Sequence, residues 1–121
     1  MAKRICTIVG VVFILVGVAG FVMPELLGAH LSTIHNVIHL VSGALALYLG
    51  LKGSYGAAQT FCRIFGIVYL LLGIAGFFLG TGDDKMWTLL PGMMLGTVDH
   101  IIHVALGVVF LIGGFVGSSN P

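Results

Sequence analysis

The sequence predicts an all-α integral membrane protein: four transmembrane helices form two parallel tandem helix-hairpin repeats around a pseudo-two-fold axis. Three observations lead to this prediction. The chain of 121 residues is 59% hydrophobic and only 7% charged, four of its segments are long and apolar, and its two halves resemble each other. We therefore expect residues 1–121 to form a single membrane domain.

The composition excludes several classes of protein. Soluble domains carry about 25% charged residues, and a small soluble domain leaves much of its surface in water. A chain with a mean hydropathy of +1.18 is therefore expected to have lipid as its solvent. The net charge of +1 provides no basic face for nucleic acid. Cys6 and Cys62 lack C-x-x-C spacing and are expected to be small buried apolar residues.

Four segments satisfy the length requirement of a bilayer. A hydrocarbon core about 30 Å thick needs ~20 mostly apolar residues in a helix. The predicted spans are residues 5–23, 34–51, 61–79 and 98–116. The first span follows Lys3 and Arg4 as in a signal peptide, but its apolar run exceeds the usual length of about 7–15 residues. We therefore expect it to be retained in the mature protein.

Charged residues at the span ends predict the orientation. Four of the five lysines and arginines lie on one side of the predicted bundle, and only Lys85 lies on the other. Because cytoplasmic loops are enriched in these residues, both termini and the 52–60 loop are predicted to be cytoplasmic. Segments 24–33 and 80–97 are then expected on the outer side.

An internal repeat links the two halves of the chain. Residues 6–21 match residues 62–77 at an offset of 56, and residues 35–43 match 99–107 at an offset of 64. The repeats extend over about 5–51 and 61–117. Each copy crosses the membrane twice, so both have the same orientation, which implies a pseudo-two-fold axis along the membrane normal. Recurrent glycines fall on one helical stripe, where they allow close helix packing.

Polar residues cluster at the start of the second and fourth spans. They are His35, Asn36, His39 and Ser42 on the second span and Asp99, His100 and His103 on the fourth. Helical spacing places each set on one face, opposite a purely apolar face. We expect these faces to point into the bundle near its axis. Ionisable residues inside a membrane are costly and are candidates for function.

Three interpretations of this cluster are open. The polar side chains can join helices by hydrogen bonds. The set His35, His39, Asp99, His100 and His103 can bind a transition metal such as copper or zinc, with Asp99 as a ligand or as an acceptor that orients an imidazole. His39 and His103 can also serve as axial ligands of a tetrapyrrole, either haem or a chlorophyll-type pigment. The glycine stripes count against the tetrapyrrole because they favour tight helix contacts.

Short motifs in both halves carry a family resemblance. The first and third spans end with G-x-x-G-F, and the second and fourth contain Asn36-x-x-His39-x-x-x-Gly43 and His100-x-x-His103-x-x-x-Gly107. In these motifs the chain resembles, over nearly its whole length, small bacterial membrane proteins grouped as domain of unknown function 4383. The resemblance implies the four-helix fold and a bacterial inner membrane, cytoplasmic or photosynthetic. It implies no activity.

The candidate chemistry favours a protein that is not an enzyme. Catalysis needs a positioned nucleophile or an acid–base pair. Asp99 with His100 or His103 is the only evident candidate pair, and the cysteines belong to the opposite ends of the spans. The alternative function is that of an accessory subunit of a larger electron-transfer or photosynthetic complex. Its apolar helix faces would then pack against other helices or, in a homo-oligomer, against a second copy.

Overall fold

The computed structural model describes residues 2–23, 32–90 and 93–115. In these ranges the chain forms four helices, each long and apolar enough to cross a membrane. Their bounds are Ala2–Val22 (α1), Thr33–Leu51 (α2), Tyr55–Leu79 (α3) and Thr97–Phe115 (α4). The prediction of four apolar spans is therefore confirmed.

Serine caps determine where two of the helices begin. The Ser32 hydroxyl accepts a hydrogen bond from the His35 backbone amide at 3.3 Å, and the Ser54 hydroxyl accepts one from Ala57 at 3.1 Å. Such caps satisfy amide groups that have no partner in the first helical turn. The cap at Ser54 explains why α3 begins at Tyr55, earlier than the predicted residue 61.

Each helix packs chiefly against its neighbour in the chain, α1 against α2 and α3 against α4. Glycines allow the close approach within each pair. A Cβ atom added to Gly10 would lie 2.6 Å from the backbone nitrogen of Leu47, and one added to Gly107 would lie 2.7 Å from that of Leu70. Neither space can hold a methyl group, so both helix pairs depend on glycine.

Aromatic rings fill the centre of the bundle. Tyr69 and Phe110 stack with their ring centroids 5.9 Å apart, and Phe13 meets both edge-on. All three side chains are buried. Large apolar side chains also cover the outside of the bundle, such as Phe78 at 83% exposure and Val41 at 65%. These outward faces are suited to contact with lipid.

A small sheet interrupts the predicted all-α architecture. Strands β1 (Trp87–Leu90) and β2 (Met93–Leu95) pair antiparallel between α3 and α4. Met93 and Leu95 are buried whereas Met94 is exposed, which is the two-residue period of a half-buried strand. The predicted all-α architecture therefore needs correction in segment 80–97. We call this end of the molecule the β-hairpin end; most of segment 24–33 lies outside the described residues.

Candidate functional site

Ser42 is half-buried, and the other six polar residues singled out in the sequence are buried at the β-hairpin end. Their relative exposures range from 0 to 8%. They are His35, Asn36 and His39 on α2, and Asp99, His100 and His103 on α4. Buried polar groups are costly unless they are hydrogen-bonded, so the partners of each residue indicate its role.

Asp99 and His100 hold the β-hairpin segment against the start of α4. The Asp99 carboxylate accepts a hydrogen bond from the Gly96 backbone amide at 2.8 Å. Nε2 of His100 lies 2.8 Å from the carbonyl oxygen of Lys85; because a carbonyl only accepts, this nitrogen is the donor. These two side chains therefore have structural roles at the helix end.

The second glycine of each G-x-x-G-F motif makes room for a polar side chain. A Cβ atom added to Gly20 would collide with the Asn36 amide, and one added to Gly76 would collide with the His100 ring. Asn36 and His100 occupy matching positions in the two N/H-x-x-H-x-x-x-G motifs. In each helix pair, the glycine motif of one helix therefore contacts the histidine motif of the other.

The other histidines line a cavity of about 250 Å³ between α2 and α3. The ring centroids of His35 and His39 lie 4.3 Å apart, and those of His35 and His103 lie 6.2 Å apart. Most of the wall is apolar. Its lining residues are His35, Ile38, His39, Ser42, Phe65, Val68, Tyr69, Leu72, Leu89, Met93 and His103.

Two of the cavity histidines carry ring nitrogens without partners. Nδ1 of His39 and Nδ1 of His103 are buried and form no hydrogen bond with the described residues. A neutral imidazole has one donor and one acceptor nitrogen, and leaving a buried polar atom unsatisfied costs about 1–3 kcal/mol. Both imidazoles also line the cavity, so the rings that carry these unpartnered atoms border the space where a ligand would lie.

Tyr69 is a cavity residue that the sequence analysis missed. Its ring centroid lies 5.4 Å from that of His103, and it occupies the position that Phe13 has in the first half of the chain. The glycine stripe on the same helix indicated close helix packing, and that interpretation did not single out Tyr69. The exchange of a phenylalanine for a tyrosine between matched positions was the available signal.

The predicted metal ligands are divided between the two groups of polar residues. Among the described residues, no three histidine, cysteine, aspartate or glutamate side chains are arranged to hold one metal ion. Asp99 and His100 bind backbone groups of the β-hairpin segment, whereas His35, His39 and His103 line the cavity. The five residues therefore do not form one ligand set.

A tetrapyrrole between His39 and His103 meets a steric obstacle. The Phe13 ring lies 5.2 Å from His39, the Tyr69 ring lies 5.4 Å from His103, and these two aromatic rings are 5.9 Å apart. Drug-sized ligands occupy pockets of roughly 300–1,000 Å³, and this cavity is smaller. The residues present therefore do not fit a macrocycle.

The four long apolar helices define a multi-pass helical membrane protein. The chain belongs to the family described as Domain of unknown function (DUF4383), whose model matches residues 3–116. The resemblance seen in the sequence motifs is thereby confirmed. No curated protein and no solved structure matches the chain.

Proposed function

We propose that this is a non-enzymatic membrane protein that binds a small ligand in the cavity between α2 and α3. The observation that carries the proposal is the pair of buried, unpartnered nitrogens of His39 and His103 beside that cavity. A ligand in the cavity can supply the missing hydrogen bonds or a coordinate bond and thereby offset the cost of leaving these nitrogens unpaired.

A binding role also fits the placement of Asp99. General acid–base chemistry needs a carboxylate or a second base within hydrogen-bond reach of the reacting group. Asp99 instead binds the Gly96 amide and is absent from the described cavity lining. Of the candidate acid–base residues Asp99, His100 and His103, only His103 lines the space where a substrate would lie.

We propose further that the two helix pairs are repeats related by a pseudo-two-fold axis. Reciprocal contacts away from the cavity support this arrangement. The Cys6 sulfur lies 3.8 Å from the carbonyl oxygen of Ala58, and the Cys62 sulfur lies 3.9 Å from that of Ala2. The sulfurs themselves are 3.8 Å apart. Exchanging each residue for its counterpart 56 residues away converts one contact into the other, as expected beside a two-fold axis.

We also propose a bacterial inner membrane, cytoplasmic or photosynthetic, and the distribution of charge supports an orientation with both termini in the cytoplasm. Lys3 and Arg4 lie beside Gly50, close to Lys52, and Arg63 donates a hydrogen bond to the Gly114 carbonyl near the end of α4. This end therefore collects four basic residues, and Lys85 lies at the β-hairpin end. Reporter fusions after residue 121 and within segment 81–86 test the orientation; an external carboxyl terminus would refute it.

Purification in mild detergent tests the binding function. The released small molecules are identified by mass spectrometry, metals by elemental analysis, and pigments by a visible spectrum. We expect one ligand per chain in the unmodified protein and in Tyr48→Phe, whose exposed side chain lies outside the described lining, and loss of that ligand in Ser42→Leu, which fills the cavity. Stoichiometric copper or zinc would identify the ligand as a metal ion. A Soret band would identify it as a tetrapyrrole.

The contrary outcome is equally specific. A colourless, metal-free and ligand-free protein that tolerates His39→Ala and His103→Ala without loss of thermal stability would refute the binding function. Adding copper, zinc or a candidate organic ligand to this preparation guards against loss of the ligand during purification. If no added compound then binds in a manner that depends on Ser42, only a structural role remains.

The alternative function is an accessory subunit of a larger membrane complex, or a homo-oligomer. The exposed apolar faces provide the surface for either assembly, with Leu15 at 63% exposure and Leu71 at 60%. Size-exclusion chromatography with light scattering after mild extraction distinguishes these states. A monomer surrounded only by lipid and detergent would contradict this alternative and leave ligand binding intact.

A further inference from the structure

The wall of the cavity restricts its occupant to a neutral, mostly apolar molecule. Six of the lining residues are purely hydrophobic, and the described lining contains no aspartate, glutamate, lysine or arginine. Burying an uncompensated charge in such surroundings costs several kcal/mol. An anion or a permanently charged head group is therefore disfavoured.

The cavity reaches the lipid-facing surface between α2 and α3. Val68 lines it and is 47% exposed, and Ile38 beside it is half-buried. Residues exposed on a membrane-spanning helix face acyl chains, so the mouth opens toward the bilayer. A ligand with a long apolar tail can then place its head inside while its tail stays among the lipids.

Hydrogen-bonding groups from three helices line the cavity. His39 and Ser42 follow each other by one turn on α2, and Tyr69 and His103 come from α3 and α4, with rings 5.4 Å apart. A para-quinone carries carbonyl acceptors at opposite edges of a flat ring. The aromatic wall of Phe65 and Tyr69 suits such a ring, because flat π-systems pack well on aromatic side chains.

We propose that the cavity binds the head group of a quinone dissolved in the bilayer. In this arrangement His39 and Ser42 donate hydrogen bonds to one carbonyl oxygen, and Tyr69 and His103 donate to the other. The inference rests on the proposed binding function and specifies its ligand class. A volume of about 250 Å³ suits one substituted ring and excludes larger cofactors.

A ubiquinone analogue with a decyl tail is the probe. It is titrated into the full-length protein in lipid nanodiscs, by calorimetry and by quenching of the single tryptophan, Trp87, which lies in the same strand as the cavity residue Leu89. We expect saturable binding with a Kd on the order of 1–10 µM. Tyr69→Phe should weaken it about 3- to 10-fold by removing one hydrogen bond, and Ser42→Leu should abolish it.

Tyr48→Phe is the matched control, because Tyr48 is an exposed tyrosine on α2 that does not line the described cavity. It should bind the quinone as the unmodified protein does. Equal binding by the unmodified protein and Tyr69→Phe would overturn the proposal, since it would reflect partition into the bilayer. If Ser42→Leu fails to fold, judged by its helical circular dichroism, the Tyr69→Phe comparison decides.

Decanol separates failure of the quinone proposal from failure of the binding function. Decanol has the same tail length but lacks the quinone ring. If decanol binds as tightly as the quinone, and Ser42→Leu weakens that binding, the ligand is not recognised as a quinone. The cavity would then still be a ligand site. If neither compound nor copper or zinc binds in a manner that depends on the cavity, both proposals fail.

Discussion

The first helix pair, α1–α2, and the second, α3–α4, pack alike but carry different polar groups. Gly43 meets the Gly10 carbonyl oxygen as Gly107 meets that of Gly66, with the added Cβ at 2.9 Å in both cases. One position makes the difference plain. Asn36 lies against Gly20, whereas His100 at the matching position lies against Gly76 and also holds the Lys85 carbonyl.

This comparison indicates that glycine packing and the polar site vary independently. Backbone contacts leave few alternatives to glycine at their crossing points, because even one methyl group overlaps the facing helix. The cavity depends instead on positions where the pairs differ, such as Ser42 against Leu106 and Tyr69 against Phe13. The cavity therefore does not follow from the glycine packing that the two helix pairs share.

The largest effect is expected at the helix crossings. Gly10→Ala places its Cβ 2.6 Å from the Leu47 backbone nitrogen, whereas Gly66→Ala first meets the movable Leu111 side chain at 2.7 Å. Overpacking typically costs 1–3 kcal/mol, so we expect a loss of about 3 kcal/mol for Gly10→Ala and about 1 for Gly66→Ala. Unfolding in denaturing detergent, followed by helical circular dichroism, measures both.

Gly56→Ala provides the control for this comparison. No heavy atom lies within 4 Å of the added Cβ, and alanine in a helix is favoured over glycine by roughly 0.5–1 kcal/mol. We therefore expect this variant to be slightly stabilised. Equal losses for Gly10→Ala and Gly66→Ala would show that the two crossings are equally rigid and would contradict the distinction drawn here.

The next effect concerns the histidine that only the second pair has. His100→Asn gives α4 the residue of α2 and removes the hydrogen bond to Lys85. Losing this part-buried hydrogen bond and leaving a void in place of the imidazole cost together about 2 kcal/mol, and we expect a red shift of Trp87 emission as the β-hairpin segment loosens. Lys85→Ala keeps the carbonyl and should leave the emission unchanged; a shift of the same size there would refute the role of His100.

The sequence predicted the spans and the buried polar faces for clear physical reasons. Length and hydropathy determine the first, and the positions of His35 and His39 one turn apart determine the second. The spacing of residues along a helix shows which side chains share a face, but it does not show which groups they hydrogen-bond. The division of roles between His100 and His103 depends on the Lys85 carbonyl, which a short β-hairpin brings to α4, and the weak pattern of residues 87–95 did not predict that hairpin.

A smaller effect is expected at the matched positions 42 and 106. Leu106 packs half-buried against the apolar core, whereas Ser42 lines the cavity. Because buried leucine-to-alanine changes cost 2–5 kcal/mol, the half-buried Leu106→Ala should cost about 1.5. Ser42→Ala should stay within about 0.5 kcal/mol. Thermal unfolding in nanodiscs compares the two, and a larger loss for Ser42→Ala would mean that its hydroxyl has a structural partner.

The smallest effect is expected where the helix pairs meet each other. Cys6 and Cys62 are both fully buried, and each thiol faces a carbonyl oxygen of the other pair at 3.8 or 3.9 Å. Removing one sulfur leaves a small void, and we expect Cys6→Ala and Cys62→Ala each to cost about 1 kcal/mol. The informative quantity is the difference between them, measured by the same thermal unfolding. A pseudo-two-fold axis between the sulfurs requires nearly equal losses, so a difference above about 1 kcal/mol would contradict that symmetry.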